Sequence, residues 1–402
     1  MQMNEFLTKR TNKIKPSLTL AITAKANKLK SEGVSIVGFG AGEPDFNTPQ
    51  YIIDAAKLAL DKGMTKYTAS SGRPDLRKAI AEKLLCDNKL TYAPNQVVVS
   101  NGAKHSLFNA IMALVEEGDE VIIPAPYWLT YPELVTLAGG TSVILETKEE
   151  NGFKIEPAIL AKTITSKTKV LILNSPSNPS GIVYSKKEIE EIAKVIEPTN
   201  IFVISDEIYE ELIYDGLETM SIAAYSSKLY EQTVLVNGLS KAYSMTGWRI
   251  GYTASPKWIA DAMDAIQSHA TSNPNSIAQY ASLEALTSEK RFEFLSGLKK
   301  EFGERRNLMA SELKKLPHIS FSLPGGAFYF FINVSKLFGK SFRGFELKTC
   351  MDVTDKLLDC GVAVVPGDAF GANNFIRISY SLSSADIVEG IARMGRFIAE
   401  LN

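Results

Sequence analysis

Short apolar runs alternate with longer amphipathic stretches between about residues 35 and 285. The apolar runs, rich in valine and isoleucine, predict β-strands at residues 96–100, 120–123, 141–146, 170–174, 202–205 and 233–237. Between several of them lie patterns typical of helices, at residues 104–115, 186–196 and 257–268. Strands that alternate with helices imply crossover connections, so this segment is predicted to be α/β with a mostly parallel, doubly wound sheet. Such a sheet gathers ligand-binding groups at the carboxyl ends of its strands.

The alternation of predicted strands and helices ends at about residue 288. A long charged helix at 290–316 is followed by short predicted strands at 320–322, 327–333, 362–365 and 375–379, and then by a closing helix at 384–401. With an N-terminal helix at 18–32, these elements predict a smaller α+β domain built from both termini. The expected division is an N-terminal arm at 1–16, a small domain at 17–40 plus 288–402, and a large domain at 41–287.

Composition excludes several classes of function. The chain has 402 residues, of which 45% are hydrophobic and 22% are charged, with a net charge of −1. A net charge this close to zero does not favour binding of the whole molecule to nucleic acid or to an anionic membrane. No apolar run approaches the length of a membrane span, and no signal peptide follows the basic N-terminus. A cytoplasmic protein without a nucleic-acid or membrane partner is expected.

Cysteine and histidine are scarce. Three scattered cysteines without a CxxC motif favour reduced thiols over a disulfide framework. Three histidines, at positions 105, 269 and 318, cannot easily supply a metal centre, so no metal is expected. They also make a histidine-centred triad unattractive.

The segment 234–252 carries the strongest chemical signal. A buried strand runs into a loop that holds Ser240, Lys241 and Arg249. A lysine in a loop is usually a solvated charge, but the neighbours of Lys241 are apolar, aromatic or small. Desolvation lowers the pKa of a lysine and makes it a usable nucleophile or Schiff-base former. Ser240 and Arg249 offer a hydroxyl and a fixed cation, which suit a phosphate.

A second phosphate signal follows the predicted strand at 96–100. Gly102 forms a turn that opens onto a helix, whose first backbone N–H groups and dipole favour an anion. Alone this signal is weak, because many strand-to-helix turns contain one glycine.

Acidic residues follow the predicted strand at 202–205. Asp206 would project from the carboxyl end of the strand, where a carboxylate can pair with a protonated pyridine nitrogen. Tyr209 can donate a hydrogen bond to a ring phenolate oxygen. A strand-end acid that caps the next helix is the competing interpretation.

Two more segments point the same way. Asn178 lies between prolines in the turn-rich segment 174–181, where it could be a rigid donor or merely part of a loop. Trp128 lies in a loop after a strand, which is typical of a stacking platform for a ligand, although lid packing is the default.

The motifs at 174–181, 205–209 and 240–251 together resemble the class I aminotransferases of pyridoxal-phosphate fold type I, and the resemblance extends from 41–46 to 375–380. The bacterial-type aspartate aminotransferase subgroup is the most similar. The resemblance implies pyridoxal 5'-phosphate as cofactor. It makes Lys241 the catalytic residue, which would hold the cofactor covalently and serve as base for the 1,3-proton shift. It assigns cofactor contacts to Gly102, Ala103, Lys104, Trp128, Asn178, Asp206, Tyr209, Ser240, Lys241, Arg249 and Tyr67.

The same resemblance implies the substrate contacts and the assembly. Arg377 would clamp the substrate α-carboxylate, helped by Asn178 and the backbone of Gly42, with Trp128 beside it. Tyr67 matches a tyrosine that reaches the phosphate from the neighbouring subunit, which implies a homodimer with shared active sites. Animal-type relatives use an arginine for the side-chain carboxylate, and residues 267–273 contain none. The bacterial type uses a threonine and a lysine instead, here Thr19 and Lys104, although Thr19 could simply be a helix N-cap.

The expected activity is a ping-pong transfer of the amino group from L-aspartate to 2-oxoglutarate, so the partners are an amino acid and a 2-oxo acid. Prephenate is the nearest alternative acceptor, and alanine or aromatic amino acids are weaker candidates. A lyase or decarboxylase on the same scaffold is a second class. A non-catalytic regulator would need a spare DNA-binding segment, and a dinucleotide-dependent oxidoreductase would need a strand–GxGxxG–helix unit; neither occurs in the sequence.

Overall fold

A computed structural model of the chain describes residues 6–402. Residues 1–5 of the expected N-terminal arm lie outside the described residues. The remainder of the arm is exposed except for a half-buried Ile14. It contains a short turn of 3₁₀ helix at Thr11–Lys13, and its Lys15 N–H donates to Glu133 Oε2 at 3.1 Å.

Thirteen α-helices occur in the described residues. In chain order, α1 to α13 are Leu18–Ser31, Gln50–Asp61, Pro74–Asn88, Ala103–Leu114, Thr130–Ala138, Pro157–Thr163, Lys186–Ile196, Ser227–Gln232, Lys257–Ala270, Ser276–Thr287, Lys290–Leu313, Cys350–Asp359 and Ser384–Ala399. No helix within residues 6–402 combines the length and apolar character that a membrane span requires.

Fifteen strands complete the described part of the chain. In the same order, β1 to β15 are Val37–Gly38, Val97–Ser100, Glu120–Ala125, Thr141–Glu146, Thr168–Asn174, Phe202–Asp206, Thr233–Gly238, Gly251–Ala254, Ser320–Phe321, Tyr329–Asn333, Ser341–Phe342, Phe345–Glu346, Val362–Ala363, Val365–Pro366 and Phe375–Ser379.

The largest sheet has seven strands in the order β2-β8-β7-β6-β5-β3-β4. Strand β8 pairs antiparallel with β2 and β7, and the other pairs are parallel. The prediction of an α/β fold with a mostly parallel sheet is therefore confirmed. Separate apolar clusters cover the two faces of the sheet, which explains why its central strands are apolar without alternation.

The parallel register brings chemical groups together at one edge of this sheet. Asn174, the last residue of β5, is paired with Asp206, the last residue of β6. Strand β7 lies beside β6, so the loop that follows it, with Lys241, starts at the same edge. This edge is where a doubly wound sheet binds its ligand.

A second sheet, in the order β14-β15-β10-β9, is antiparallel. It shares one apolar cluster with α11, α12, α13 and the segment of β1. Tyr209 and Leu212 of the large-sheet region belong to the same cluster, so the two sheets meet through buried contacts beside the strand edge.

One detail of the predicted pattern is wrong, and the alternative interpretation of Thr19 as a helix N-cap is excluded. Residues 362–365 were expected to form one strand, but β13 pairs with β1 while β14 pairs with β15, so the run divides between two sheets. The N-cap of α1 is Ser17 rather than Thr19, because Ser17 has extended backbone angles and its hydroxyl accepts from the Leu20 N–H at 3.4 Å. Thr19 instead lies inside the first turn of α1.

Candidate active site

A cavity of about 430 Å³ opens at the carboxyl edge of the large sheet, between that sheet and the smaller one. It brings together residues that are far apart in the sequence and that the motifs had singled out. These are Thr19, Gly42, Ala103, Lys104, Trp128, Asn178, Asp206, Tyr209, Ser240, Lys241, Arg249 and Arg377.

Lys241 is a half-buried amine on the cavity wall. Its ammonium donates a hydrogen bond to the Gly42 carbonyl. Burial, aided by the nearby cations Arg249 and Arg377, lowers the pKa of Lys241 to about 8, while the carboxylates of Glu43 and Asp206 oppose the shift. A lysine with such a pKa is partly neutral near pH 8, which is what a nucleophile or a base requires.

Asp206 is a buried carboxylate at the floor of the cavity, 4% exposed. Its Oδ2 accepts from the Tyr131 hydroxyl at 2.7 Å and its Oδ1 accepts from the Ile208 N–H at 3.2 Å. Burial raises the pKa of Asp206 to about 6, although both hydrogen bonds and Lys241 act in the opposite direction. A cationic nitrogen close to such a buried carboxylate would stabilise its ionised form.

An anion cradle lies at the start of α4. Gly102 has a φ of 84°, and a Cβ there would lie 2.3 Å from Arg249 Nη2, so only glycine lets the guanidinium lie over this turn. Arg249 is fixed by donating to the Thr246 carbonyl at 2.8 Å. Ser240 lines the same cavity. The cation, the hydroxyl and the helix N-terminus together fit a phosphate group.

Arg377 is a buried cation on β15, 3% exposed. It donates from Nη1 to Asn178 Oδ1 at 2.8 Å and from Nη2 to the Gly40 carbonyl at 3.0 Å. Its Nε is buried and has no hydrogen-bond partner within the described residues. Arg377 lines the cavity, and each Nη has a second N–H beyond these two bonds, so the guanidinium keeps donor capacity that suits a carboxylate.

Aromatic rings shape the walls of the cavity. The Tyr209 hydroxyl is 2.9 Å from the Tyr329 hydroxyl, and burial raises the pKa of both. Trp128 meets Tyr131 edge to face at 5.4 Å. A flat wall of this kind suits a planar ring.

Lys104 and Thr19 occupy the mouth of the cavity. Lys104 Nζ lies 4.8 Å from the centre of the Trp128 ring. Burial of part of its side chain and the charge of Arg249 lower the pKa of Lys104. Thr19 approaches from α1, where its hydroxyl is 3.0 Å from that of Ser17. The mouth thus offers one cation and one hydroxyl to the outer part of a ligand.

Two of the predicted site residues do not line this cavity. Gly102 lies directly behind Arg249, in the cradle. Tyr67 is 90% exposed and outside the cavity of its own chain.

Four functional neighbours were not identified from the sequence. Tyr131 binds Asp206, and Asn174 accepts from the Asn178 N–H at 3.0 Å while its Nδ2 donates to the Asp206 carbonyl. Tyr329 and Glu43 adjoin Tyr209 and Lys241. Tyr131 and Asn174 stand within the segments that carry Trp128 and Asn178, but no local signal distinguishes them from packing or turn residues. Tyr329 comes from the smaller sheet and had no signal.

Asp206 should lower the stability of the cofactor-free protein. Because burial raises its folded pKa from 3.8 to about 6, ionisation costs free energy of folding as the pH rises through that interval. We expect Asp206→Asn to raise the free energy of unfolding by up to about 3 kcal/mol at pH 8. The gain should fall to about half a kcal/mol near pH 4, where the folded state holds the proton and the unfolded state holds it about half of the time. Urea unfolding of the apoprotein at both pH values measures this difference.

Asp215→Asn is the matched control with the opposite sign. A hydrogen bond from Arg306 lowers the pKa of Asp215, so the substitution should destabilise the protein at pH 8 and lose its effect in acid. An Asp206→Asn gain that is the same at both pH values would show that its cause is packing and not charge.

The chain is similar to known aminotransferases over nearly its whole length. Residues 34–394 match the family model described as aminotransferase class I and II. An aspartate aminotransferase of Bacillus sp. (strain YM-2) is 47% identical over 98% of this chain and 100% of the relative. A probable aspartate/prephenate aminotransferase of Aquifex aeolicus is 44% identical over 99% and 100% of the two chains. The crystal structure of the aspartate aminotransferase from Rhizobium meliloti has a TM-score of 0.94 and 40% identity, covering 98% of this chain and 99% of that one.

Proposed function

Because the chain belongs to the aminotransferase class I and II family, we propose that it transfers the amino group of L-aspartate to 2-oxoglutarate by a ping-pong mechanism. One observation carries the proposal. A lysine with a pKa of about 8, a buried carboxylate and a buried arginine face one cavity, and a further lysine stands at its mouth. That set provides an amine, an anion that can keep a ring nitrogen protonated, and two cations that can each bind a carboxylate.

The residues of the cavity fit pyridoxal 5'-phosphate, the cofactor of class I aminotransferases. Gly102, Ala103, Ser240 and Arg249 would hold its phosphate in the cradle described above. Trp128 would cover the ring, Asp206 would keep the ring nitrogen protonated, and Asn178 and Tyr209 would hold the ring oxygen. The cofactor, when bound, supplies a carbonyl for the amino group and an electron sink for the Cα–H bond.

Lys241 would serve two purposes in turn. It would hold the cofactor covalently in the resting enzyme, and as a free amine it would remove the proton from the substrate Cα and deliver it to the cofactor carbon that receives the amino group. Burial supports both roles, because it favours the neutral amine. The same Lys241 serves both half-reactions, since the oxo acid reacts by the reverse sequence.

Arg377 would orient the substrate. Its guanidinium can bind the α-carboxylate in a bidentate manner, assisted by Asn178 and the backbone of Gly42. With this carboxylate held in place, the Cα–H bond of the substrate would point toward Lys241.

Lys104 and Thr19 would bind the side-chain carboxylate of aspartate. We expect Lys104→Met to lower kcat/KM for aspartate about tenfold, because the exposed ammonium is partly screened by solvent. The same variant should leave kcat/KM for alanine nearly unchanged, and the loss for aspartate should shrink at high salt. Steady-state kinetics at low and high ionic strength test this. Equal losses for both amino acids would contradict the assignment.

Prephenate is a second candidate substrate. The Aquifex relative is named for both aspartate and prephenate, and prephenate also carries a second carboxylate. With aspartate as the amino donor, kcat/KM for prephenate compared with kcat/KM for 2-oxoglutarate shows which acceptor the enzyme prefers.

The decisive experiment is a spectrum of the purified holoenzyme before and after L-aspartate alone. A transaminase accumulates the aminated cofactor under these conditions, whereas a lyase or decarboxylase does not. We expect the absorption band of the resting enzyme to disappear and to return when 2-oxoglutarate is added. A band that does not respond to aspartate would contradict the proposed activity.

We also propose a homodimer in which Tyr67 reaches the phosphate site of the partner. Its 90% exposure supports a role in an interface, because a tyrosine is seldom left so open. The proposed domains are 17–40 with 288–402 and 41–287, preceded by an arm at 1–16. Thr19 and Arg377 would then belong to one domain and Lys241 to the other, so closure on substrate would bring them together.

A further inference from the structure

A charged network lies outside the lining of the active-site cavity, next to segments that carry residues of the cavity. Its centre is Glu210, one residue after Tyr209. Glu210 Oε1 accepts from Asn237 Nδ2 at 2.6 Å and from the Lys83 ammonium. Glu210 Oε2 accepts from Asn88 Nδ2 at 2.6 Å, so the carboxylate has three different donors.

These donors belong to different parts of the fold. Lys83 and Asn88 are in α3, and Asn237 is in β7. Glu210 itself follows β6, in the segment that carries Asp206 and Tyr209. The loop after β7 carries Ser240 and Lys241. One carboxylate therefore joins the two segments that present the proposed catalytic groups.

The link to β7 lies at the end of the strand, directly before the loop that carries Lys241. Asn237 Oδ1 accepts from the N–H of Gly238, the last residue of β7, at 2.7 Å. Glu210, Asn237, Leu239 and Ala242 line a common cavity of only about 10 Å³, so the two segments are closely packed where they meet.

Charge balance keeps Glu210 in place. The Lys83 side chain is 6% exposed and that of Glu210 is 17% exposed. Burial disfavours the charge on Lys83, but the Glu210 carboxylate, together with Tyr252 and Glu211, outweighs burial and raises the pKa of the lysine. Removing the negative partner leaves a buried ammonium with Asn88 and, at 3.7 Å, Asp87.

None of these side chains lines the cavity, and neither the cofactor nor the substrate contacts proposed above involve them. We propose that Glu210, neutralised by Lys83, is a positioning residue that fixes the Asp206–Tyr209 segment relative to the loop of Lys241. The inference rests on the proposed function, because it concerns how the groups of that reaction are held.

Glu210→Gln tests the link with little change of shape. The amide keeps one acceptor oxygen but turns an N–H₂ group toward one of the three donors, so at least one hydrogen bond is lost. We expect kcat for aspartate to fall about tenfold, since misplacement well below 1 Å is costly. KM for aspartate should change less than about twofold, because Arg377 and Lys104 are not attached to the network.

A spectroscopic readout separates positioning from mere stability. In the resting holoenzyme, the absorption band of the cofactor bound to Lys241 should titrate with pH. We expect Glu210→Gln to move its midpoint by more than about half a pH unit, because the surroundings of Lys241 change. Asn237→Ala cuts the same link from β7 and should have the same effect, with the double variant little worse than either single one.

Asp87→Asn is the matched control. It changes the charge near Lys83 but leaves the bonds between Glu210 and Asn237 intact. We expect a lower unfolding temperature with kcat and the midpoint unchanged. Should Glu210→Gln not fold, Asn237→Ala carries the test.

If Glu210→Gln and Asn237→Ala fold, alter only the unfolding temperature and keep the wild-type midpoint and kcat, the proposal is overturned. A wild-type spectrum that does not respond to aspartate would contradict the proposed function instead, so the two failures are distinguishable.

Discussion

Lys241→Ala should abolish turnover of L-aspartate with 2-oxoglutarate, with kcat lowered by at least about 10⁴-fold. The variant loses both the covalent anchor of the cofactor and the base that moves the α-proton, and a general base alone contributes about 10²–10⁴-fold. The cavity contains no second amine in an equivalent place, because Lys104 stands at its mouth beside Trp128. The absorption band of the cofactor bound to lysine should also be absent.

The loss should not come from misfolding. Burial of Lys241 disfavours its charged form, so replacing it should not lower the stability of the apoprotein. Thermal unfolding of the cofactor-free variant checks this. Lys257→Ala is a suitable control, because Lys257 is an exposed lysine paired with Asp261 on α9. Steady-state activity of Lys241→Ala close to the wild-type value would overturn the mechanism.

Arg377→Lys should lower kcat/KM for aspartate by roughly 10²-fold or more. Lysine keeps the positive charge but cannot form the planar fork that binds a carboxylate through two parallel hydrogen bonds. It would also leave Asn178 Oδ1 or the Gly40 carbonyl without its present donor. Loss of a buried, hydrogen-bonded charge contact is worth about 2–5 kcal/mol, which includes this range.

The pattern across substrates identifies the cause. Every amino acid and 2-oxo acid has the α-carboxylate, so Arg377→Lys should impair alanine as strongly as aspartate, unlike Lys104→Met. The comparison variant is Arg306→Lys, which alters another buried arginine, held by Asp215 and outside the cavity. It should reduce stability and leave kcat/KM almost unchanged. An Arg377→Lys enzyme with normal kcat/KM for alanine would contradict the clamp.

Several elements were determined by local sequence alone. Helix α7 begins and ends where its periodicity predicts, because Ser185 and Glu188 form a capping box at its start. The strands that end at Asn174 and Asp206 could be placed because buried parallel strands are short apolar runs with polar residues after them. Since parallel strands end at the same edge, the meeting of these residues with the Lys241 loop also followed from the sequence.

Local sequence was insufficient where pairing between distant segments decides the outcome. The run 362–365 has uniform strand character, yet its halves pair with β1 and β15. Thr19 and Ser17 are both acceptable N-caps, and the backbone angles of Ser17 select it.

Sequence by itself determined which chemical groups this protein has and which strand ends and loops carry them, because those depend on local pattern and on the geometry of a parallel sheet. Only the tertiary structure decided how the groups are tuned. Burial sets the pKa of Lys241 and Asp206, the Tyr131 hydroxyl reaches Asp206 from α5, and Glu210 joins the segment after β6 to the end of β7 through Asn237. Desolvation and hydrogen bonding depend on every segment packed around a group, and a linear motif does not specify those neighbours.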